Sequence, residues 1–368
     1  MELTRILESY PKNLSKIHRN IPLNLGKKTC VYGARGIGKT EAILNYYTKT
    51  KFNTLKKMYL NLKDSHLNHY NFLDSLPNFL QKEKIDILIL DHFEFSIFSP
   101  TLLKQIAFIP QITIISQSPL IDKTYSLVEI PPITFQEFTQ IHKISTNDSL
   151  NLYLKFGNLL ESESLNEYKK AEFLKILAGD STNFWILQNL ILHLGQKVSI
   201  YQIFTKLKKE KKISKDRFYE YCKNLNENKI LFWLTKFEHQ SAPKKLYFWD
   251  FTLKNCVSYE RNFALLFENM VFLELLYHFK ETIFYTDKLD FYLPSLSIGI
   301  LCMPFIQGQS FQMRLNKIIK EREFCDTFLI LSLNDKECGE NLGTPYHILP
   351  FKEFALKNSL QEILDSTL

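Results

Sequence analysis

The sequence predicts an α/β protein whose N-terminal part is a parallel sheet with helices on both faces. Three observations predict it. Short β-like runs alternate with helical periodicities from the N-terminus to Pro131. One run, Ile85–Leu90 (IDILIL), is almost continuously apolar, as a strand covered on both sides must be. A Gly-bearing loop joins the first run to the helix that follows it.

Taken in order, residues 1–27 look helical and then turn, and Lys28–Tyr32 reads as a buried strand. Thr40–Tyr47 follows as a helix, and Met58–Leu62 alternates apolar and polar residues as a strand does. Phe72–Leu80 is helical, Ile85–Leu90 is the central strand, Thr101–Phe108 is a helix and Ile112–Ile115 a strand. Leu127–Ile130 is a last short strand, stopped by Pro131 and Pro132. Residues 145–235 then carry long helical periodicities. The polar stretch Glu238–Lys245 separates two β-like runs, Ile230–Leu234 and Leu246–Trp249. Helices ending in a hairpin are the pattern of a winged helix. A helix over Phe263–Phe279 precedes strand-like runs at Ile283–Thr286, Phe291–Leu293, Ile298–Met303, Phe328–Leu333 and His347–Leu349. At 368 residues, two to three domains are expected at about 150 residues each. The divisions fall at 1–140, 141–250 and 251–368.

Composition excludes several classes. Hydrophobic residues make up 45% and charged residues 23%, so the chain is globular, not disordered. No Cys-x-x-Cys or zinc-ligand spacing occurs among the 6 Cys. The start, MELTRILESYPKN, has no apolar signal core, and no long charge-free apolar run follows. The expectation is a soluble cytoplasmic protein with reduced thiols and no membrane contact. The net charge is +7, and only 7 of the 46 cations are Arg. A Lys excess of this kind accompanies AT-rich coding, so basicity points to nucleic acid only where it clusters.

The loop Gly33-Ala34-Arg35-Gly36-Ile37-Gly38-Lys39-Thr40 fits G-x-x-x-x-G-K-[ST], with a strand before it and a helix after it. Glycines allow backbone N–H groups to point inward as an anion nest, and the helix start adds its positive dipole end. Lys39 would reach the β- and γ-phosphates, and the Thr40 hydroxyl would bind Mg²⁺. A nucleoside triphosphatase also needs a carboxylate at the end of a buried strand beside the loop, and Asp91 is placed for it. Water must also be oriented or deprotonated. The next residue is His92 and the first Glu is Glu94. Glu94 could reach the site, His92 could stand in, or neither does and hydrolysis is slow. Ser116, after the Ile112–Ile115 strand, is placed to sense the γ-phosphate, with Ser118 as second choice.

These segments together resemble a family of prokaryotic AAA-type ATPases. Its members join a P-loop NTPase domain to a winged helix and a C-terminal domain of unknown function with a restriction-endonuclease-like core. The resemblance lies in GARGIGKT at 33–40, LILD at 88–91, ITIISQS at 112–118 and PPITFQEF at 131–138. It continues in SKDRFYEYCKNLNENKILFWL at 214–234, KKLYFWD at 244–250, ENMVFLEL at 268–275 and KLDF at 288–291. It implies ATP and Mg²⁺ as cofactors and a winged helix spanning 214–250. It also implies a nuclease-like α/β domain over 251–368. Three departures matter. His92 stands where the family has Glu. No Gly-Arg precedes the Leu127 strand, which leaves Lys123 as the nearest cation. Downstream of Asp290, IGILCMPF at 298–305 replaces the family's Glu-x-Lys, so Asp290 reads as structural and the nuclease as inactive.

Lys206–Arg217 (KLKKEKKISKDR) holds six Lys and one Arg against two acids, a net +5. Ser214 can cap the next helix, with Asp216 in its first turn. Lys211, Lys212, Lys215 and Arg217 would then meet phosphates of duplex DNA if that helix enters the major groove. A solvated Lys-rich turn explains the same charge. Trp185, Trp233 and Trp249 lie in apolar runs and read as core. The reading is an ATP-binding, slowly hydrolysing ATPase that couples nucleotide state to DNA or partner binding. The alternative is a non-hydrolysing ATP-gated switch or scaffold that docks a protein partner through its C-terminal domain.

Overall fold

The computed structural model describes residues 2–11, 19, 21–64, 67, 72–94, 98–120, 122–159, 167–318, 324–341 and 343–365. The chain divides into two units, Met1–Pro131 and Pro132–Leu368.

In the first unit the elements are α1 (Glu2–Glu8), β1 (Lys28–Tyr32), α2 (Lys39–Tyr46), β2 (Lys57–Asn61), α3 (Phe72–Lys82), β3 (Ile87–Asp91), α4 (Pro100–Gln105), β4 (Gln111–Ile115) and β5 (Ser126–Glu129). The strands form one five-stranded sheet in the order β2-β3-β4-β1-β5, and every pair is parallel. β3 is buried at all five positions, as its continuous apolar run requires. Ser99 caps α4 by accepting from Leu102 N–H at 3.2 Å, with Pro100 at the first helical position. Leu76, Leu80, Leu88, Leu90, Ile112 and Ile114 belong to one apolar cluster with Leu3 of α1. The expected helix over 1–27 is seen at Glu2–Glu8; its stretch over 12–18 and 20 lies outside the described residues.

The second unit begins with α5 (Phe135–His142), α6 (Thr146–Phe156), α7 (Glu167–Ala178) and α8 (Ser181–Leu192). It continues through β6 (Lys197–Val198), α9 (Ile200–Glu210), α10 (Lys215–Glu227), β7 (Leu231–Leu234) and β8 (Lys244–Phe248). β6, β8 and β7 make a three-stranded antiparallel sheet. Then come α11 (Lys254–Val257), α12 (Phe263–Leu273), β9 (Phe291–Leu293), β10 (Ile298–Cys302), α13 (Gly308–Ile318), β11 (Thr327–Ser332), β12 (Glu337–Asn341), β13 (Thr344–Pro350), α14 (Phe351–Leu356) and α15 (Leu360–Asp365). The second five-stranded sheet runs β12-β13-β11-β10-β9. Its core pairs β10–β11 and β11–β13 are parallel and both edges antiparallel.

The division at Pro131/Pro132 precedes the expected 140/141. The reason is visible in α5. Phe135 N–H is bonded to Glu274 Oε1 at 2.7 Å, and the Phe135 and Phe138 rings pack tilted against Tyr153, so this helix packs with the later unit. The helix expected over Phe263–Phe279 ends at Leu273 and continues as a π-helical turn, Glu274–His278. Ile283–Thr286 forms isolated bridges instead of a strand, with Phe284 opposite Tyr292 and Tyr285 opposite Lys236. β12 and α13 had no sequence counterpart in the expected elements.

Candidate nucleotide-binding site

The loop Gly33–Thr40 leaves the end of β1 and enters α2, whose first turn carries Lys39 and Thr40. Its glycines are required. Gly33 has φ +144°, and a Cβ there would lie 2.5 Å from the Ile130 carbonyl and 2.8 Å from Ile37 Cδ1. Gly36 and Gly38 sit at φ 84° and 81°, where side chains are strained. Ala34 and Ile37 are buried and root the loop in the unit, while Arg35 is half-buried. Gly33 N–H donates to Gln117 O at 3.2 Å, which ties the loop to the turn after β4.

Arg19 is a residue that sequence reasoning missed. It is only 2% exposed, and its Nη1 donates to the carbonyls of Ile37 and Pro131, each at 2.7 Å. It holds the crown of the loop against the end of the unit. A single Arg in a stretch read as helical gives no signal of its own in one sequence.

Lys39 Nζ donates to Gly33 O at 2.9 Å and Ala34 O at 2.7 Å, so the ammonium lies within the loop's concavity. Burial pushes its pKa down to about 8, opposed by the Asp91 charge and reinforced by Arg35. The Thr40 hydroxyl donates to Asp91 Oδ2 at 2.8 Å. The same oxygen accepts from the Tyr59 hydroxyl at 2.6 Å, and Oδ1 accepts from His92 N–H at 2.7 Å. Asp91 is 1% exposed. β4 lies between β1 and the strand that ends in Asp91, and the Thr40 side chain spans the gap. Tyr59 was also missed. It sits in the middle of an alternating strand, where a Tyr reads simply as a sheet former.

The remaining predicted residues are not all brought to this point. His92 follows Asp91 in the left-handed region, φ 55°, and burial lowers its imidazole pKa. Glu94 is exposed, and its carboxylate faces Lys63 Nζ at 3.5 Å. Ser116 does follow β4 beside β1. Its hydroxyl donates to Ser118 O at 2.5 Å and contacts Cys30 Sγ at 3.4 Å, and its N–H donates to Val31 O.

In the second unit the basic turn divides between elements. Lys206, Lys208 and Lys209 belong to α9, Lys211 and Lys212 to the connection, and Lys215 and Arg217 to the first turn of α10. Ser214 caps α10 through Arg217 N–H at 3.3 Å, as its position suggested. Lys211, Lys212 and Lys215 are exposed. Lys211 Nζ lies 5.6 Å from the Trp185 ring, and Lys215 Nζ 5.6 Å from the Tyr219 ring. Arg217, also exposed, has a protein partner. Its Nη2 donates to Asp180 Oδ1 at 2.7 Å and Asn183 Oδ1 at 3.4 Å, so it links the starts of α10 and α8. Trp249 is fully buried as expected, whereas Trp185 and Trp233 are half-buried. All six cysteines are free. Among the described residues, no helix is long and apolar enough to cross a membrane.

No family model matches the chain. An uncharacterized protein of Methanocaldococcus jannaschii is 26% identical over 210 residues, 46% of this chain and 47% of that one. The chain thus spans about half the length of the curated relative it matches. Among solved structures, AMPPCP-bound DnaA from Aquifex aeolicus aligns at a TM-score of 0.29 and 17% identity, over 52% of this chain and 66% of that one. The replication initiator DnaA bound to AMPPCP and single-stranded DNA aligns at 0.27 and 16%, over 61% and 87%. At these scores the functional reading rests on this chain's own residues.

Proposed function

We propose that the chain binds ATP with Mg²⁺ at Gly33–Thr40 and hydrolyses it slowly, in the manner of an AAA-type ATPase. In this reading the nucleotide state is coupled to duplex DNA or to a protein partner. The observation that carries it is the hydrogen bond from Thr40 to Asp91 at the rim of an all-parallel sheet, beside a glycine loop that admits no Cβ at Gly33. The donor set fits the metal. A hydroxyl and a carboxylate are hard oxygen ligands, and Mg²⁺ takes few protein ligands alongside phosphate oxygens. Bound Mg²⁺ would offset charge on the β- and γ-phosphates. Lys39 would exchange its two loop carbonyls for phosphate oxygens, and Asp91 would hold the Thr40 side of the metal shell.

Residues 214–250, at the end of the 141–250 region, form the proposed winged helix. The helix α10 followed by the antiparallel pair β7–β8 supports it. Lys211, Lys212 and Lys215 are its proposed phosphate contacts. Residues 251–368 are the proposed nuclease-like domain, inactive as a nuclease and available to a protein partner. A second reading, an ATP-gated switch without turnover, is favoured by one observation: Glu94 is 52% exposed and faces Lys63, which leaves His92 beside Asp91. Calorimetry with ATP, then turnover with and without duplex DNA, tests both. Binding without turnover selects the switch, and absence of ATP binding overturns both.

A further inference from the structure

The second unit buries a charged cluster that nucleotide binding does not use. β8 sends Lys245 and Tyr247 to one face, two residues apart as a strand requires. Both meet Glu268 of α12. Lys245 Nζ lies 2.8 Å from Glu268 Oε1, and the Tyr247 hydroxyl donates to the same oxygen at 2.5 Å. Asp290, one residue ahead of β9, lies on the other side of the ammonium, with Oδ1 at 3.5 Å from Nζ. Its Oδ2 accepts from the backbone N–H of Cys302 at 2.9 Å and from Arg314 Nη2 at 3.4 Å. Lys245 is 5% exposed, and the rings of Tyr285 and Phe291 flank its ammonium at 5.8 and 5.9 Å.

Two carboxylates from separate elements, converging in a buried space, repel one another and require a cation between them. That cation is here a covalent part of the chain. Burial alone would push the Lys245 ammonium toward deprotonation. Glu268 and Asp290 outweigh it and hold its pKa above the ordinary lysine value, so the group stays charged. Lys245 and Arg314 balance Glu268 and Asp290, with Lys197 adding further positive charge nearby. A divalent ion entering this space would meet an ammonium already at bonding distance. It would also meet a carboxylate whose Oδ2 is engaged by a main-chain N–H.

We propose that Lys245 is the resident cation of the Glu268–Asp290 pair and excludes divalent metal from it, so that this domain does no metal chemistry and a metal site is latent beneath the lysine. The carboxylates serve instead to clasp β8 to α12 and to the start of β9.

The test uses the full chain without nucleotide and Mn²⁺ as the probe. Acetic anhydride labelling is read by mass spectrometry with and without millimolar Mn²⁺. Lys245 is expected to stay unlabelled in both, while the exposed Lys211 and Lys212 label. Mn²⁺-dependent labelling of Lys245 would mean that metal displaces the ammonium, and overturns the proposal. In parallel, bound Mn²⁺ is counted by electron paramagnetic resonance. Wild type is expected to bind none that Glu268→Gln removes. Lys245→Met is expected to gain one equivalent and to melt at a higher temperature with Mn²⁺ than without. Adding Glu268→Gln to that variant should cancel the gain. A Mn²⁺ equivalent in wild type that Glu268→Gln abolishes overturns the proposal, as does a folded Lys245→Met protein that gains none. If Lys245→Met folds only when Mn²⁺ is supplied, the proposal stands. If it folds under neither condition, the labelling experiment decides alone.

Discussion

Glu274 accepts the backbone N–H of Phe135 at 2.7 Å, so a carboxyl far along the chain caps the first turn of α5. The same Oε1 accepts the Tyr153 hydroxyl at 3.4 Å. Burial pushes the Glu274 pKa from 4.5 up to about 8, opposed by those two hydrogen bonds. The group is therefore protonated when folded at neutral pH and ionised when unfolded. Its stabilisation is fully present below about 4.5 and is lost as pH rises toward about 8. Urea unfolding from pH 5 to 8 should show this decline, by at most about 1.4 kcal/mol per pH unit from this one group. Glu274→Gln, which cannot ionise, should flatten the profile. A variant with the wild-type slope would disprove the assignment.

Lys39 gives a pH dependence of opposite use. Phosphates favour its ammonium, so its pKa is higher in the complex than its free value of about 8. ATP affinity should hold steady up to about pH 8 and then fall by up to about tenfold per unit. Lys39→Ala should abolish ATP binding and leave the circular dichroism spectrum unchanged, since the side chain is half-buried and its ammonium bonds the loop carbonyls of Gly33 and Ala34. Equal calorimetric affinity in the two proteins would remove the nucleotide reading.

Asp91→Asn should lower Mg²⁺-dependent turnover by about tenfold or more, because it removes a charge from the metal shell. Glu94→Gln should turn over ATP as wild type does, given its exposure and its Lys63 partner. Loss of activity in that variant would show that the loop after β3 carries Glu94 into the site.

Changing Lys211, Lys212 and Lys215 together to Gln should flatten the plot of log affinity for duplex DNA against log salt by roughly two to three, at about 0.9 per phosphate contact. Arg217→Gln should leave that slope unchanged, because the guanidinium already pairs with Asp180. Identical slopes for wild type and triple variant would move the reading to a protein partner.

Most elements of the first sheet were legible because its strands are short apolar or alternating runs bounded by turns, and because the loop 33–40 needs glycine at fixed places. The end of α12 was not, since nothing in ENMVFLELLYHF marks where an α-helix yields to a π turn. β12 (ECGEN) was invisible for another reason. It is a polar edge strand whose pairing with β13 is set by its partner, not by its own pattern. The candidate site was legible in its loop and in Asp91. Tyr59 and Arg19 act through single hydrogen-bonding groups, and a lone polar residue carries no period.

β4 stands between the strand that ends in the phosphate loop and the strand that ends in Asp91. Two strand spacings, about 9.6 Å, therefore set the width of the jaw across which Thr40 reaches. The Tyr47 hydroxyl, just past α2, meets Thr113 Oγ1 of β4 at 2.6 Å and pins the helix to the middle of that spacer. β4 thus works as a gauge block. Thr113 has no place among the expected phosphate ligands, yet a substitution there would remove the anchor of the helix that carries Lys39 and Thr40 across that gap.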